Sequence, residues 1–381
     1  MEIKVERVTR IGGEASLHLE VRDGYVERGE FICNAPVRGF EKLLVGKNPF
    51  FAVEASMRIC GICHASHGIA CCEAIEHALG IYPPRDGLLL REACGITNRL
   101  QSHILQQILI MRDIFKEEIQ ENVLKLLFES LETCNRILQI LGGTPTHPPA
   151  ITIGGMSSGV PESKVQRLKQ DISKLDELLN RYADVFMDED NLSETSFLMK
   201  DMKFGKPVLA SHLFYGDRFN IRVDRVSLEK ENQHSTALSA RYDGKVVEVG
   251  PLARLRIYRS FHGDSLFDRQ IARVKELLLN MERLKEVMEE VDFGGVVRTS
   301  ELPFRGGKGV GVFEAPRGTL IHMVTLDDAG YISSYRVIVP TMFNIPVISD
   351  AVRGTPVRIA PVIPRLFDPC IPCAVHMVRV R

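Results

Sequence analysis

The sequence lacks an excess of charge of either sign. Its 48 lysines and arginines almost cancel its 49 aspartates and glutamates. Without a net basic field there is no reason to expect a nucleic-acid partner, and no run of like charges resembles an arm that binds a membrane surface. No stretch of about 18 uncharged apolar residues occurs either, so no membrane span is predicted.

The chain also lacks the apolar core of a signal peptide near its start, where MEIKVERVTR alternates charged and apolar residues. We therefore expect a soluble, cytoplasmic protein. Its nine cysteines are an odd number in a chain without a secretion signal. That usage indicates reduced thiols rather than a framework of disulfides.

No low-complexity linker and no internal repeat divides the 381 residues, of which 45% are hydrophobic. We predict a single α+β domain in three parts. Residues 1–50 include the alternating runs typical of strands. Residues 51–295 carry the i, i+3, i+4 apolar spacing of helices that would form a central bundle, and residues 296–381 combine glycines, prolines and short β-rich runs.

Two Cys-x-x-Cys motifs flank the predicted helices, RICGICHASH with Cys60 and Cys63, and FDPCIPCAVH with Cys370 and Cys373. One such pair at a helix start is also a thiol–disulfide pattern, because the helix N-terminus stabilises a thiolate. Four thiolates together suit a metal instead, and a structural zinc with four cysteine ligands is the simplest alternative. Soft thiolates in fourfold number otherwise select nickel, iron or copper.

Further polar residues surround the two motifs, namely Arg58, His67, Asp368 and His376. A closed tetrahedral zinc site would not need them. The pattern therefore favours a metal centre that does chemistry.

At these residues the sequence resembles the large subunit of NiFe hydrogenases, in particular the archaeal group that reduces the deazaflavin coenzyme F-420. The paired motifs are similar to the two signatures of that family. Further segments resemble it in order along most of the chain: PVRGFEKLLVGK (36–47), HPPAITIGGM (147–156), LASHLFYGDR (209–218), YDGKVVEVGPLAR (242–254), EAPRG with a later histidine (314–322) and VPTMFNIP (339–346).

The resemblance implies a Ni-Fe centre whose iron carries CO and cyanide. Cys60 and Cys370 would be terminal ligands of nickel, and Cys63 and Cys373 would bridge to iron. The implied reaction is the reversible heterolytic cleavage of H2, in which metal ions polarise the bond and a base takes the proton. By the same resemblance, Cys370 is the first proton acceptor.

Other roles follow from the resemblance position by position. Arg317 would direct its guanidinium over the metals and donate to the cyanide ligands. His67, four residues after Cys63 and so on the same helical face, would support a bridging sulfur. Asp368 would shape the approach to Cys370. The pocket of the iron ligands would be lined by Pro340, Thr341 and Asn344.

A second metal is implied near the C-terminus, where Glu41 and His376 match positions that bind a magnesium or iron ion in relatives. An oxygen and imidazole shell fits such an ion. Relatives are commonly cut after the histidine of the second motif, whereas this sequence continues with MVRVR after His376.

One departure from the family concerns proton exit. Many relatives carry a glutamate in an Arg-x-Glu-Gly-His run near the N-terminus, but the run here is TRIGGEA, with Gly12 at the glutamate position. We expect Glu14 to take over this relay only if the backbone shifts, because a strand would otherwise offset it by a full pleat. The departure keeps open an alternative, a non-catalytic or slow paralogue that acts in assembly or electron transfer.

Electrons must leave the centre, yet the remaining cysteines match no iron–sulfur spacing; they are Cys33, Cys71, Cys72, Cys94 and Cys134. Cys71 and Cys72 are interpreted as buried helical thiols. The resemblance implies that a small subunit with 4Fe–4S clusters receives the electrons, joined by a flavin-containing subunit that binds coenzyme F-420.

Overall fold

The N-terminal residues form a meander of three antiparallel strands. The computed structural model describes residues 2–303 and 305–375. Strands β1 (Glu2–Val8), β2 (Ala15–Arg22) and β3 (Tyr25–Cys33) lie in the order β1-β2-β3. Asp23 and Gly24 join β2 to β3 with φ of 52° and 81°, the left-handed conformations that a tight hairpin requires. The strands predicted for this region are confirmed.

Long helices follow and build the predicted bundle. Helix α4 lies in its centre with most of its residues buried, and α5, α6 and α9 pack around it. The amphipathic pattern of α5 and α6 places one apolar face of each helix against this core. The helices from residue 40 to residue 290 are α1 (Phe40–Leu44), α2 (Pro49–Met57), α3 (His64–Leu79), α4 (Arg85–Ile114), α5 (Glu117–Gly142), α6 (Glu162–Met187), α7 (Glu194–Asp201), α8 (Pro251–Tyr258) and α9 (Asp268–Glu290).

The run SHGIACCEAIEHALG after Cys63 has a helical pattern, and its last glycine, Gly80, predicts the end of the helix; α3 ends there. Gly80 caps it with φ of 69°, and its N–H bonds back to the carbonyls of Glu76 and His77. Glycine is the usual residue here because a left-handed cap strains a side chain.

The C-terminal region is more regular than the sequence indicates. Strands β8 (Gly307–Ala315), β9 (Gly318–Leu326) and β10 (Ile332–Ile338) form an antiparallel sheet in the order β10-β9-β8. This sheet packs on α3 at very short range. A β-carbon on Gly307, Gly309 or Gly311 would lie about 2 Å from a carbonyl oxygen of α3. The alternating glycines of β8 therefore let a strand and a helix touch backbone to backbone.

Short elements complete the described chain. Two-stranded pairs interrupt the mainly helical middle part, β4 (Ile151–Thr152) with β5 (Gly155–Met156) and β6 (Val226–Glu229) with β7 (Ser239–Tyr242). After the sheet come α10 (Pro340–Ala351), α11 (Ile363–Phe367) and α12 (Ile371–Ala374). The mixture of helices and antiparallel sheets confirms the α+β class, while the division into three parts of one domain stays a prediction.

A segment in the N-terminal part of the chain is hydrogen-bonded to the second thiol motif. The N–H of Ile371 donates to the carbonyl of Gly12 at 2.7 Å, in an isolated parallel bridge between Gly12 and Cys370.

Within the described part of the chain, no helix has both the length and the apolar character to cross a membrane.

Candidate metal centre

Each thiol pair stands at the start of a helix. Cys63 is the N-cap of α3, and Cys60 lies in the loop before it, where its Sγ accepts from the N–H groups of Ile62 and Cys63 at 3.2 and 3.3 Å. Cys370 is the N-cap of α12, which contains Cys373. Each motif therefore supplies one cysteine at an N-cap, Cys63 and Cys370, a position that favours negative charge.

The folded chain brings the four sulfur atoms together in one buried cluster. All four lie within 4.8 Å of one another. The Cys60 and Cys370 sulfurs are 3.3 Å apart, as are those of Cys63 and Cys373, and the Cys370 and Cys373 sulfurs are 3.0 Å apart. Ligands at about 2.3 Å from a common ion have separations of this size. The predicted convergence of the two motifs is confirmed.

The thiols cannot all ionise without a cation. Hydrogen bonds from the other three thiols, that of Cys370 first, hold the pKa of Cys60 well below its ordinary value. The pKa of Cys63 is raised instead, mainly through its contact with Cys370, and burial raises that of Cys373. One buried thiolate therefore disfavours the ionisation of the neighbouring thiols. A bound metal cation would remove this repulsion, so the donor set fits a thiolate-bound metal.

Arg317 lies beside the sulfurs in the two-residue turn between β8 and β9. Its Nε donates to the Asp368 carbonyl at 2.7 Å, its Nη2 to the Asp368 carboxylate at 3.0 Å and its Nη1 to the Ser102 hydroxyl at 3.1 Å. Burial alone would lower the pKa of Arg317, but the Asp368 carboxylate and the thiolates raise it well above its usual range. The centre therefore carries a fixed positive charge.

Asp368 is shared between two arginines. Its φ of 52° is left-handed, which turns both its carbonyl and its carboxylate toward Arg317. Arg273 of α9 donates to the same carboxylate at 3.3 Å. Neither Arg273 nor Ser102 was identified from the sequence, because each lies on a helix remote from both motifs and carries no local signature.

His67 contacts the cluster from α3, with its Nε2 3.5 Å from the Cys373 sulfur. The hydroxyl of Thr341, in the first turn of α10, accepts from the Cys370 N–H at 3.0 Å.

A cavity of about 10 Å³ adjoins the cluster. Its lining consists of Cys63, His67, Ala315, Arg317, Leu320, Pro340, Thr341, Cys370 and Cys373. Open space beside the sulfurs, bounded by a guanidinium, is not what a closed structural zinc site requires.

Asn344 lies elsewhere. Its amide accepts from the N–H of Val249 and donates to the carbonyl of Val249, both at 3.1 Å. It therefore holds the loop before α8, and the cavity lining does not include it. The role of Asn344 in the pocket of the iron ligands stays a prediction.

Glu41 accepts from the N–H of Val337 at 2.7 Å, which joins α1 to β10. His376 lies outside the described residues. The preceding residue, Val375, accepts from the N–H of Arg38 at 2.8 Å, and the Arg38 guanidinium donates to the Ile59 carbonyl beside Cys60. Arg38 thus joins both thiol motifs, a role that the sequence did not indicate.

Glu14 is not at the cluster. Its side chain is 66% exposed, and its carboxylate lies 3.5 Å from the Arg7 guanidinium. The strand geometry that begins at Ala15 turns it outward, so the expectation that Glu14 replaces the missing carboxylate has no support from its position. Gly12 itself lies beside the Cys370 backbone, because a β-carbon there would lie 3.6 Å from the Cys370 Cα.

None of the nine cysteines forms a disulfide, and all are buried. Burial raises the pKa of Cys71 and of Cys94 to about 12, so both remain thiols. This arrangement does not favour the thiol–disulfide alternative, which needs an accessible thiolate.

Solved structures share this fold. The Ni-Fe-Se hydrogenase from D. vulgaris Hildenborough in its as-isolated oxidised state has a TM-score of 0.87, covering 98% of this chain and 100% of that chain at 20% identity. The reduced, active form of the Ni-Fe-Se hydrogenase from Desulfomicrobium baculatum has a TM-score of 0.84 with the same coverage of both chains. At such identity the likeness establishes the fold alone.

Sequence comparison establishes the family. The model of the nickel-dependent hydrogenases matches residues 38–107 and 259–376, which contain both thiol motifs. The chain belongs to the large subunits of the nickel-dependent hydrogenases.

Within that family, the chain is similar over nearly its whole length to alpha subunits of more than one kind of hydrogenase. It is 38% identical to the coenzyme F-420 hydrogenase subunit alpha of Methanocaldococcus jannaschii, over 99% of this chain and 94% of the relative. The corresponding subunit of Methanothermobacter thermautotrophicus is 32% identical over 99% of this chain and 95% of the relative. The sulfhydrogenase 2 subunit alpha of Pyrococcus furiosus is 26% identical over the full length of both.

Proposed function

We propose that this chain cleaves H2 heterolytically at a Ni-Fe centre held by Cys60, Cys63, Cys370 and Cys373. The observation that carries the proposal is the convergence of four buried sulfurs within 4.8 Å beside a buried arginine. Thiolates donate electron density to a soft metal and also accept protons. When bound, such a centre supplies Lewis-acid polarisation of the substrate, with CO and cyanide on its iron.

The protein residues have separate tasks in this reaction. The Cys370 sulfur holds the proton released from H2, within 3.3 Å of the Cys60 sulfur. Arg317, fixed by Asp368 and Ser102, supplies a buried positive charge that does not titrate and therefore stabilises negative charge on cyanide and on the thiolates. Pro340 and Thr341 exclude water from the space beside the sulfurs.

The electrons leave through another chain in this proposal. In residues 2–303 and 305–375, the four motif cysteines form the only group of three or more Cys, His, Asp or Glu side chains placed to hold a metal. The other five cysteines are buried separately from that cluster. An iron–sulfur small subunit therefore receives the electrons. The likeness to coenzyme F-420 hydrogenase subunits supports a further flavin-containing subunit and F-420 as the acceptor.

We also propose that Glu41 and His376 bind a closing magnesium or iron ion. The hydrogen bond from the Arg38 N–H to the Val375 carbonyl holds Val375, the residue before His376, near the start of α1. Glu41 lies on α1, two residues after its N-cap. A metal there would tie the second thiol motif to the sheet that Glu41 contacts.

Metal analysis, infrared spectroscopy and hydrogen–deuterium exchange with D2 test the proposal on the purified complex. We expect one nickel and one iron at the thiolates, CO and cyanide bands, and sustained exchange. Cys60→Ala should lose nickel and exchange together, because it removes a ligand. Cys94→Ala, which truncates a buried thiol outside the cluster, should retain both. Equal nickel in the two variants would refute the assignment of the cluster.

A second candidate rests on Gly12. The carboxylate expected there is absent, and Glu14 points to solvent. The second candidate is therefore a paralogue that binds the metals at the same four cysteines but does not turn over H2. The two candidates differ in one result. A fully metallated protein without any isotope exchange would favour the paralogue.

A further inference from the structure

Three buried side chains form a series of polar contacts that begins at the Cys373 sulfur and leads away from the other three sulfurs. The Cys373 sulfur is 3.5 Å from His67 Nε2, His67 Nδ1 is 3.1 Å from His322 Nε2, and His322 Nδ1 is 2.7 Å from the Tyr335 hydroxyl. The relative exposures of His67, His322 and Tyr335 are 1%, 0% and 5%. Both nitrogens of each ring therefore have a partner in this series, away from water.

The fold aligns the series through three elements. His67 lies on α3, one turn before Cys71, whose thiol contacts Tyr335. His322 on β9 stands opposite Val337 on β10, and Tyr335 lies two residues before Val337. Residues two apart point to the same face of a sheet, so His322 and Tyr335 both face α3.

The charge at one end of the series decides where its protons lie. A metal-bound sulfur at Cys373 is a thiolate and accepts hydrogen bonds. His67 must then present Nε2–H to the sulfur, since a lone pair there would face negative charge. With its proton on Nε2, a neutral His67 accepts at Nδ1 and requires a donor from His322 Nε2. His322 in turn accepts at Nδ1 from the phenol.

Tyr335 is suited to be the final donor. Burial first, and then the neighbouring Cys71, raise the pKa of Tyr335 well above its ordinary value, so the phenol keeps its proton. The Cys71 thiol also keeps its proton, because burial raises its pKa to about 12. The Tyr335 phenol and the Cys71 thiol are thus neutral, and the phenol can donate to His322.

We propose that His322 and Tyr335 are positioning residues that lock His67 as an N–H donor to the Cys373 thiolate and so limit the electron density that this sulfur gives to the metals. The inference deepens the proposed function and rests on it. Partners behind a ligand-contacting histidine fix its tautomer and orientation in metal sites generally, and their loss changes the electronic properties of the metal. Here the supporting partners come from the sheet, which connects metal tuning to the close packing of α3 on β8 and β9.

The test uses the metallated complex and the stretching bands of iron-bound CO and cyanide. Tyr335→Phe removes one hydroxyl, and His322→Leu removes the donor to His67. We expect both to shift the CO band to lower wavenumber, His322→Leu further, because a sulfur without its donor gives more electron density to the iron. His322→Gln, whose amide can still donate to His67, should restore the band toward its wild-type position.

Tyr182→Phe is the matched control, since Tyr182 is equally buried and its hydroxyl donates to Gln107 away from the cluster. It should leave the bands in place. In addition, ¹⁵N spectra of histidine-labelled protein should show protons on Nε2 of both His67 and His322. A proton on Nδ1 of either ring would overturn the inference.

Unshifted bands in both Tyr335→Phe and His322→Leu, at full metal content, would overturn the inference while leaving the proposed function intact. If His322→Leu does not load metal, Tyr335→Phe decides by itself, and an unshifted CO band at full metal content in that variant would overturn the inference. Wild-type protein without CO and cyanide bands would overturn the inference together with the proposed function.

Discussion

Gly12 and Cys370 are neighbours across an isolated parallel bridge, in which the Ile371 N–H donates to the Gly12 carbonyl at 2.7 Å. The bridge holds the N-terminal loop against the second thiol motif. A β-carbon at Gly12 would be 3.5 Å from the Pro369 carbonyl and 3.8 Å from Ile62, both ordinary contacts. Gly12 has no positive φ that would strain a side chain. The position therefore has room for a β-carbon beside Cys370.

We predict that Gly12→Glu raises hydrogen–deuterium exchange by the metallated complex, because a carboxylate within reach of Cys370 supplies a proton acceptor. General acid–base groups typically contribute about 10²-fold or more where proton transfer limits the rate. Gly12→Gln is the control for size, since its amide does not accept a proton at neutral pH. Equal exchange in the two variants would contradict a proton-exit limit, and no exchange in wild type or either variant would favour the silent paralogue.

Arg317→Lys should lower turnover by about 10²- to 10³-fold, the usual loss when a preorganised donor is removed from a water-excluded site. Lysine keeps the charge but cannot make the three bonds to Asp368 and Ser102 from one planar group. Metal content should remain. Arg283→Lys is a matched change at an arginine that pairs with Glu92 on the bundle. Similar losses in the two variants would argue against a role of Arg317 at the centre.

His103 should make the stability of the protein depend on pH. Its Nε2 lies 2.7 Å from the Glu276 carboxylate and its Nδ1 3.3 Å from Arg273, an arrangement that a neutral ring satisfies. Burial lowers the pKa of His103 from 6.5 to about 3. Below pH 6.5 the unfolded chain therefore binds more protons than the folded chain. The stabilisation is complete above pH 6.5 and is lost as the pH falls toward 3, by at most about 1.4 kcal/mol per unit.

His103→Gln checks this expectation, because glutamine can still donate to Glu276 but does not titrate. The difference in free energy of unfolding between wild type and His103→Gln should shrink as the pH is lowered from 7 to 5, measured by urea titration. Parallel pH profiles would show that His103 does not contribute the slope.

Gly309→Ala should destabilise the protein by more than about 3 kcal/mol, because its β-carbon would lie 1.9 Å from the Ala74 carbonyl and force β8 away from α3. Gly205→Ala is the control, with no atom within 4 Å of the added carbon. We expect its effect on the free energy of unfolding to be within about 0.5 kcal/mol. Comparable midpoints in urea for the two variants would contradict the backbone contact.

The local sequence was sufficient to predict several features of the fold. The alternating runs of β1 to β3, the apolar spacing of the long helices and the stop at Gly80 depend on neighbours within a few residues, and the structure confirms them. After residue 296 the short β-rich runs predicted strands and the glycines predicted irregular structure, but no local pattern indicated the role of these glycines. Their purpose, contact with α3, involves a helix more than 200 residues earlier in the chain.

By itself, the sequence determined which four thiols are the candidate metal ligands, because they stand in two short motifs that also set their own helix starts. Only the tertiary structure decided which side chains surround these thiols. The Glu14 side chain points to solvent, and the Asn344 amide is hydrogen-bonded to Val249. Four residues without a sequence signature support the side chains that contact the sulfurs: Ser102, Arg273, His322 and Tyr335. The reason is physical: a side chain's partner depends on the packing of distant elements, which no local pattern encodes.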